Sequence, residues 1–492
     1  MTELPPNVYR GELPDAGSGL FASQLIEPGE EVFRVQGCLV SVLNQSQLTT
    51  ACANCFLWVP ENSEDGVGAG ALGEEPKSKK LRACQRCKIV RYCSKECQAQ
   101  SWSHSHKYEC KLFSKLYPQV LPNTARIVTQ LLLRRKAKDL PSSDWQAFLA
   151  LQSHIDDFRS SHNGTSEGLS TWQTIELMSQ AASKYSDSRE PMQFIQEMTA
   201  RVLVNALTLT TPTFDPLGLT LSTTASLLNH SCTPNTAITY SGRHLTLRSL
   251  ISIPQATEIT ISYTAPTTTP PTRLTHLQAR YFFTCTCPSC STHTTNNLPE
   301  ISDTAIEALS VRAIELQNTA SSQQKPEQAG PLLKQALDLF KPYPPHLQPY
   351  PAILHTAFLN AISLQNWPAA LAYSLRAYFF IDAIHYQPEW HPVRIVRKWV
   401  LLRLVVQTAA LMSEGDASVK GLEKYGVDWR VFALALLRDI EEGGGRSHGV
   451  DSIFAKQVDG FARDAGMGRG SVEGEVVGRE MRKLRRIAED CG

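Results

Sequence analysis

Thirteen cysteines are the residues of this chain whose type and spacing most directly indicate chemistry. Seven of them, with one histidine, form four closely spaced pairs between residues 52 and 110. In chain order they are Cys52, Cys55, Cys84, Cys87, Cys93, Cys97, His106 and Cys110. Thiolates and imidazoles at such spacings are typical of tetrahedral zinc sites, so eight ligands predict two zinc ions. Spacing alone does not decide whether the pairs combine sequentially or interleave.

A second group of cysteines, Cys285, Cys287 and Cys290, supplies three ligands where a closed zinc site needs four. We expect Cys232, which lies earlier in the chain, to be the fourth ligand. A zinc ion bound in this way would hold the later segment across the residues around Cys232. The remaining cysteines, Cys38 and Cys491, belong to no such motif.

The segment around Cys232 reads Ser-Leu-Leu-Asn-His-Ser-Cys-Thr-Pro-Asn over residues 226–235. A short apolar stretch runs into a turn rich in polar groups, and an isolated Asn-His pair is ordinarily a satisfied turn at the end of a strand. A Ser-His nucleophilic site is disfavoured, because neighbours in sequence rarely align as nucleophile and base.

The flanking sequence changes this interpretation. Residues 244–253 and 258–263 alternate polar and apolar side chains as strands do, and Tyr-Phe-Phe-Thr-Cys follows at 281–285. With Gly-Ser-Gly-Leu at 17–20, these motifs resemble a SET domain. The first cysteine group, with Tyr92 before Cys93 and Trp102 before His106, resembles a MYND finger. Over about residues 5–292 the chain therefore resembles the SET and MYND domain family of protein lysine methyltransferases.

The resemblance implies that the two zinc sites of the finger interleave. One zinc would take Cys52, Cys55, Cys93 and Cys97, and the other Cys84, Cys87, His106 and Cys110. His104 competes with His106, but the spacing of His106 fits the MYND pattern better. A run rich in Gly, Glu and Lys at 61–80 is an insert in that pattern, and we expect a flexible loop there.

The resemblance also implies a pocket for S-adenosylmethionine. Its lining would consist of Gly17, Ser18, Gly19, Leu20, Asn205, Ser226, Leu227, Asn229, His230, Tyr263 and Phe283. Asn229 and His230 would bind the amino-acid and adenine ends, Asn205 the methionine moiety, and Phe283 would stack on the adenine. The family often has a basic residue before the first glycine and Asn between the glycines, where this chain has Ala16 and Ser18.

The implied reaction is methyl transfer from a sulfonium to the amine of a lysine side chain. It needs no metal, so all three zinc ions are predicted to be structural. Tyr263 and Tyr281 are the predicted catalytic residues, whose hydroxyls would orient the amine. By itself, a tyrosine at a strand end more commonly packs its ring in a core, so the role of Tyr263 depends on its place between the two motifs.

The predicted fold class is α+β, with a β-rich SET core split by the zinc finger and by a helical insert. The predicted segments are an N-terminal SET segment at 1–50, a MYND finger at 51–112, a helical insert at 113–215, a C-terminal SET segment at 216–265, a post-SET zinc segment at 266–292 and a helical C-terminal domain at 300–492. The last resembles a tetratricopeptide-like domain, although no clean repeat is visible. His154 is interpreted as a capping or core residue, and the glycine-rich stretches at 443–445 and 466–474 are predicted loops.

Composition bounds the remaining choices. The 492 residues carry a net charge of +1, with 42% hydrophobic residues, which excludes a wholly disordered chain. No apolar run is long enough for a membrane helix and no signal-peptide pattern opens the sequence, so we expect a protein of the nucleus, the cytoplasm or both, with no membrane partner. We also expect a monomer. Residues 77–115 hold 11 Lys plus Arg against two acids, and this basic finger makes nucleic acid a weak third possibility.

Two functional hypotheses remain open at this point. The first is an active S-adenosylmethionine-dependent protein lysine methyltransferase that acts on a histone or another protein. The second is a non-catalytic scaffold or transcriptional regulator whose finger binds proline-containing peptides.

Overall fold

The computed structural model describes residues 4–13, 17–59, 80–161, 169–268, 270–292, 303–468 and 473–490. Ala16, Cys491 and nearly all of the 61–80 insert lie outside these residues. The chain divides into two compact units, one within residues 1–61, 78–263 and 274–285, and the other within 62–77, 264–273 and 286–492. No helix of the described residues is long and apolar enough to cross a membrane.

The strands belong to the first unit and are short. They are β1 (Val8–Leu13), β2 (Gly17–Ala22), β3 (Glu31–Val35), β4 (Val40–Leu43), β5 (Arg82–Ala83), β6 (Arg91–Tyr92), β7 (Leu207–Thr210), β8 (Pro216–Leu221), β9 (Asn229–His230), β10 (Thr236–Ser241), β11 (His244–Ser249) and β12 (Glu258–Ile261). In the described residues they form sheets of order β1-β2-β12-β9, β10-β11-β3, β4-β8-β7 and β5-β6. The strands predicted at 244–253 and 258–263 are present but shorter, since β11 ends at Ser249 and β12 at Ile261.

The sheet that contains β9 positions the polar segment at 229–230. β12 pairs antiparallel with β2, so that Ile259 lies opposite Leu20, and both side chains are fully buried. On its other side β12 pairs in parallel with β9, with Thr260 opposite Asn229 and Ile261 opposite His230. Parallel neighbours require a crossover, here supplied by the β10–β11 hairpin between them.

The first unit also contains the helices of the finger and of the insert. They are α1 (Lys95–Ser101), α2 (Lys107–Leu116), α3 (Asn123–Lys136), α4 (Ser142–Leu149), α5 (Ile155–Ser160), α6 (Thr171–Ser186) and α7 (Met192–Asn205). Ile127, Leu131 and Phe148 form a buried core with Met198. The predicted helical segment 113–215 also contains strand β7, which follows α7 directly. His154 occupies the N-cap position of α5 with a left-handed φ of 50°, but its side chain makes no capping hydrogen bond and its Nδ1 lies 3.0 Å from Oδ2 of Asp157.

The helices after the last strand are α8 (Pro270–Tyr281), α9 (Pro288–Thr292), α10 (Asp303–Ser321), α11 (Pro326–Asp338), α12 (Tyr350–Ser363), α13 (Trp367–Phe380), α14 (Asp382–His385), α15 (Pro392–Ser413), α16 (Trp429–Ser447), α17 (Ile453–Asp464) and α18 (Gly474–Asp490). Within the second unit they pack as neighbouring pairs, α10 on α11, α12 on α13 and α15 on α16. The helical C-terminal domain is confirmed, and its likeness to tetratricopeptide repeats stays a prediction.

The loop predicted at 443–445 is wrong, because these glycines lie inside α16. A Cβ built at Gly443 would lie 2.4 Å from Cδ1 of Ile395 on α15. Two helices approach closely at this point, so packing favours glycine in a helix where its intrinsic propensity is poor.

Candidate functional site: zinc clusters and a tyrosine pair

The finger contains the two interleaved ligand groups that the resemblance implies. Metal-binding atoms of Cys52, Cys55, Cys93 and Cys97 lie within 4.8 Å of one another, as do those of Cys84, Cys87, His106 and Cys110. His106 lies in the second group and His104 in neither, and the assignment of His106 as a zinc ligand stays a prediction. The sequential pairing that spacing alone left open does not occur.

The distances between ligand atoms fit tetrahedral zinc. A Zn–S bond of about 2.3 Å at a tetrahedral angle separates two sulfurs by about 3.8 Å. Sγ of Cys55 lies 3.6 Å from Sγ of Cys93, and Sγ of Cys84 lies 3.8 Å from Sγ of Cys110. Each group offers four protein ligands, which leaves no open coordination position and is typical of a structural site.

Local structure explains why the ligands converge. Ser94 caps α1 by accepting a hydrogen bond from the backbone N–H of Cys97 over 3.1 Å, so Cys93 and Cys97 lie one turn apart. A π-helical segment, Trp102–His106, follows α1 and turns Nε2 of His106 to within 3.3 Å of Sγ of Cys84. Burial lowers the pKa of His106 to about 4, so its imidazole is neutral near pH 7, as a metal ligand requires.

A third group joins Cys232 to the C-terminal cysteine motif, as predicted. The sulfurs of Cys232, Cys285, Cys287 and Cys290 lie within 4.8 Å of one another. Sγ of Cys232 is 3.9 Å from Sγ of Cys285. The three clusters of the described residues are therefore compatible with three zinc ions.

The predicted cofactor residues Gly17, Ser18, Gly19 and Leu20 lie on β2. Gly17 has a φ of +73°, which favours glycine, and a Cβ at Gly19 would lie 2.8 Å from both Nδ2 of Asn229 and Oε1 of Glu258. Nδ2 of Asn229 donates to the carbonyl of Ser18 over 3.3 Å and to Oε1 of Glu258 over 2.8 Å. The Asn229 amide thus connects β9 to β12 and to β2.

His230 is joined to Tyr263 and to Cys232. Its Nδ1 accepts a hydrogen bond from the backbone N–H of Tyr263 over 2.9 Å, and its Nε2 lies 3.2 Å from Sγ of Cys232. Its ring centroid is 5.3 Å from that of Tyr263 and 6.0 Å from that of Phe283. One imidazole therefore contacts three predicted site residues, two of them aromatic.

The two predicted catalytic tyrosines lie side by side. The ring centroids of Tyr263 and Tyr281 are 4.6 Å apart, with an interplanar angle of 40°. The hydroxyl of Tyr263 donates to the carbonyl of Leu228 over 2.6 Å. Burial raises the pKa of Tyr263 and of Tyr281, so both phenols stay protonated at neutral pH.

The remaining predicted residues surround the same strand. Ser226 and Leu227 form a short 3₁₀ turn just before Asn229. Oγ of Ser226 donates to the backbone carbonyl of Asn205 over 2.9 Å. Nδ2 of Asn205 donates to the carbonyls of Gln152 and Arg201, at 2.7 and 2.8 Å, and so positions the end of α7.

Three residues of this region were not predicted to be part of the site. Glu258 accepts the hydrogen bond from Asn229, and Leu228 accepts that of the Tyr263 hydroxyl. Phe282 follows α8 with a φ of +58°, and its ring centroid lies 4.8 Å from that of Phe158. The positive φ of Phe282 changes the direction of the backbone between Tyr281 and Phe283. Only the position of Glu258 at the start of a predicted strand could have indicated a role.

Comparisons with known proteins agree with this arrangement. The SET domain family matches residues 17–264, just over half of the chain. "SET domain and MYND-type zinc finger protein 6" of Schizosaccharomyces pombe is 32% identical over 285 residues, which cover 58% of this chain and 52% of that protein. "Histone-lysine N-methyltransferase SMYD3" of Homo sapiens is 29% identical over 290 residues, 58% of this chain and 62% of that protein.

A third relative, "Histone-lysine N-methyltransferase ASHR1" of Arabidopsis thaliana, is 27% identical over 289 residues, 57% of this chain and 54% of that protein. The chain thus spans between about half and three fifths of the length of these curated relatives. A crystal structure of the SET domain of LSMT bound to lysine and AdoHcy covers 99% of this chain and 86% of that chain, with 11% identity. Its TM-score of 0.32 is too low to carry an argument.

The family match contains both the finger clusters and the strand that bears Asn229 and His230. The Schizosaccharomyces pombe relative is named for both a SET domain and a MYND-type zinc finger. This chain belongs to the SET domain family, and its two finger clusters lie within the residues that match that family.

Proposed function

We propose that this protein is an S-adenosylmethionine-dependent protein lysine N-methyltransferase. The observation that carries the proposal is the pair formed by Tyr263 and Tyr281, 4.6 Å apart, beside the strand that bears Asn229 and His230. The names of the human and Arabidopsis relatives, histone-lysine N-methyltransferases, support the same reaction class.

Gly19 serves the packing of the strands, because a Cβ there would lie 2.8 Å from both Asn229 Nδ2 and Glu258 Oε1. The fit to an adenosyl cofactor comes from aromatic residues near β9. The rings of His230 and Phe283, with centroids 6.0 Å apart, offer flat surfaces on which a purine can stack. Ser18, at the position where the family often has Asn, donates no side-chain amide to this group.

The bound cofactor would supply a methyl group on a cationic sulfur. The protein's task is then to present a neutral lysine amine to that methyl group. A free lysine has a pKa of about 10.4, so at pH 7 only about one amine in a few thousand is deprotonated. A narrow aromatic channel disfavours the charged form, because burial removes the water that solvates the ammonium.

Tyr263 and Tyr281 are suited to orient the amine rather than to accept its proton. Burial raises the pKa of both phenols, so neither is a phenolate near pH 7. Because the hydroxyl hydrogen of Tyr263 is donated to the carbonyl of Leu228, its oxygen lone pairs can accept hydrogen bonds from the amine N–H groups. Two such acceptors would direct the nitrogen lone pair along the line of methyl transfer.

In this proposal the zinc ions have a structural role and take no part in the reaction. Each offers four protein ligands, whereas catalytic zinc keeps one position for water or substrate. The substrate is a protein, either a histone or another protein, and the chain acts as a monomer in the nucleus, the cytoplasm or both. The alternative partners to be tested are a proline-rich peptide at the finger and nucleic acid at its basic surface.

A radiolabelled methyl-transfer assay on the zinc-loaded chain, with histones and a peptide array as substrates, tests the proposal. We expect Tyr263→Phe to abolish transfer and to retain all bound zinc. Tyr240→Phe is the matched control, since the buried hydroxyl of Tyr240 has no hydrogen-bond partner and its loss should leave turnover unchanged.

Calorimetry with S-adenosylmethionine separates this proposal from a non-catalytic scaffold. We expect saturable binding by the wild-type chain. No heat at high cofactor concentration, with correct zinc content and no methyl transfer, would favour the scaffold instead. Normal turnover by Tyr263→Phe would instead overturn the assignment of the tyrosine.

A further inference from the structure

A polar cavity of about 90 Å³ lies among the finger, strand β4 and helix α3, all within the first unit. It shares no lining residue with the tyrosine pair or with the three cysteine clusters. Its size is enough for several water molecules or for one small ion. The proposed methyl transfer does not use it.

Two arginines face this cavity with donor capacity to spare. Arg134 of α3 donates from Nη1 to the carbonyl of Leu39 over 2.7 Å, but its buried Nε has no hydrogen-bond partner. Arg243, in the turn between β10 and β11, donates from Nη1 to Oδ1 of Asn54 over a long 3.3 Å. A guanidinium has five N–H donors, so Arg134 keeps a buried donor without a partner, and the half-buried Arg243 has N–H groups available for a further acceptor.

The positive charges converge on one volume. His104 of the finger lines the same cavity as Arg134 and Arg243. Cys38, which follows β3, lines it as well. Three segments far apart in sequence therefore direct cationic or donor groups at the same space.

No carboxylate among the described lining residues balances these charges. Asp139 is the acidic group that acts on His104, and its carboxylate is engaged by Lys107 at 3.0 Å and by the hydroxyl of Tyr108 at 2.7 Å. Two guanidinium groups that face a partly enclosed space without a counter-charge are electrostatically costly, because like charges repel and burial removes part of the water that solvates them.

We propose that this cavity binds a small tetrahedral oxyanion, phosphate or a phosphomonoester group. Guanidinium groups match the oxygens of such an anion by forked, charge-assisted hydrogen bonds. The exposed edge of His104 and the half-buried Arg243 form the side by which the anion enters. The bound anion would bridge the finger, the SET core and the helical insert, and so stabilise their packing.

Gln130 provides a sharp test of the charge. It is buried on α3, lines the cavity, and its Oε1 has no hydrogen-bond partner. Gln130→Glu is nearly isosteric and would place a carboxylate inside the cavity. If the cavity attracts anions, this substitution raises the melting temperature in phosphate-free buffer and removes the response to phosphate. In a neutral cavity filled with water, a buried carboxylate lowers the melting temperature instead.

The experiment is a titration of the zinc-loaded chain with sodium phosphate at constant ionic strength, with chloride as the replaced ion, which holds general screening fixed. Melting temperature and calorimetric heat are the measurements. We expect phosphate to bind the wild type, and Arg243→Gln to weaken binding about tenfold or more. Arg82→Gln, an exposed arginine of the same charge on β5, is the matched control and should bind as the wild type does.

A parallel titration with O-phosphoserine distinguishes the sources of the ligand. Binding of both compounds supports capture of a phosphorylated side chain, and binding of phosphate alone supports a free ion. The proposal is overturned if phosphate has no effect beyond that of chloride, or if Arg243→Gln responds as the wild type does. A Gln130→Glu chain that melts below the wild type would likewise overturn it.

Discussion

The backbone N–H of Tyr263 donates to Nδ1 of His230 over 2.9 Å. A neutral imidazole that accepts on Nδ1 carries its proton on Nε2, and Nε2 lies 3.2 Å from Sγ of Cys232. One side chain therefore connects the backbone of a predicted catalytic tyrosine to a predicted zinc ligand. Hydrogen bonds from residues around a metal site fix the orientation of its ligands. Here the same side chain would also fix the backbone position of Tyr263.

Substitutions at His230 should separate this positioning role from simple structural support. In His230→Asn the amide oxygen can occupy the place of Nδ1 and accept the Tyr263 N–H, whereas His230→Leu has no acceptor. We expect His230→Leu to lower kcat about tenfold, the effect of one lost hydrogen bond, and His230→Asn to retain most of kcat.

Steady-state kinetics with a lysine peptide measures this difference, and zinc content is the control for folding. Equal losses in the two variants, or a change confined to KM, would show that His230 does not position Tyr263.

The pH dependence of the reaction should follow the substrate lysine and not the tyrosines. Burial raises the pKa of Tyr263 and Tyr281, so both remain neutral throughout the range from pH 7 to pH 9. The fraction of deprotonated peptide amine increases about tenfold per pH unit in this range. We expect kcat/KM to rise with that slope in a pH–rate profile. A maximum below pH 9 would mean that an enzyme group ionises, contrary to these shifts.

Zinc content should depend on the clusters and not on the other described cysteine. We expect about three zinc ions per chain by elemental analysis, and about two after Cys87→Ser, because one ligand of a four-ligand site is lost. Cys38→Ser is the matched control, since Cys38 belongs to no cluster and should retain three. Loss of zinc in Cys38→Ser would contradict the ligand assignment.

A buried ion pair should stabilise the junction of the finger and the helical insert. Nε of Arg126 lies 3.2 Å from Oε1 of Glu109, and the two side chains are 3% and 7% exposed. Glu109→Ala leaves the buried guanidinium without its counter-charge, and we expect the unfolding free energy to fall by about 3–5 kcal/mol.

Glu315→Ala removes an exposed partner of Arg312, both side chains being 58% exposed, and should cost about 1 kcal/mol or less. Urea denaturation of the zinc-loaded chain compares the two variants. Similar effects from both would mean that the Arg126 pair contributes no more than a surface pair.

Neighbouring glycines of α16 should respond in opposite directions to alanine. In Gly443→Ala the new Cβ would meet Ile395 at 2.4 Å, and we expect a loss of about 1–3 kcal/mol. In Gly444→Ala the nearest atom is Cε1 of Phe454 at 3.9 Å, an ordinary contact, and the better helix propensity should add up to about 1 kcal/mol. Thermal denaturation distinguishes them, and destabilisation by both would show that close approach is not specific to Gly443.

Sequence reasoning succeeded where the signal is local or belongs to the family. The ligand types, the one-turn spacing of Cys93 and Cys97, and the alternation of β11 and β12 are set by neighbours along the chain. The residues that these side chains contact in the folded protein are not set by neighbours along the chain. The stretch expected to be a loop at 443–445 lies inside α16, where Gly443 makes room for Ile395 of another helix, so glycine composition alone did not predict the backbone.

The sequence by itself determined that this is a member of the SET domain family with three cysteine clusters compatible with zinc, and it predicted the residues that would bear its chemistry. Only the tertiary structure decided which atoms meet: the Tyr263 hydroxyl with the carbonyl of Leu228, Glu258 with Asn229, and two distant arginines around one cavity. The reason is physical. Ligand spacing and strand alternation are encoded over a few residues, whereas a hydrogen bond or a charge cluster between distant segments depends on how the whole core packs.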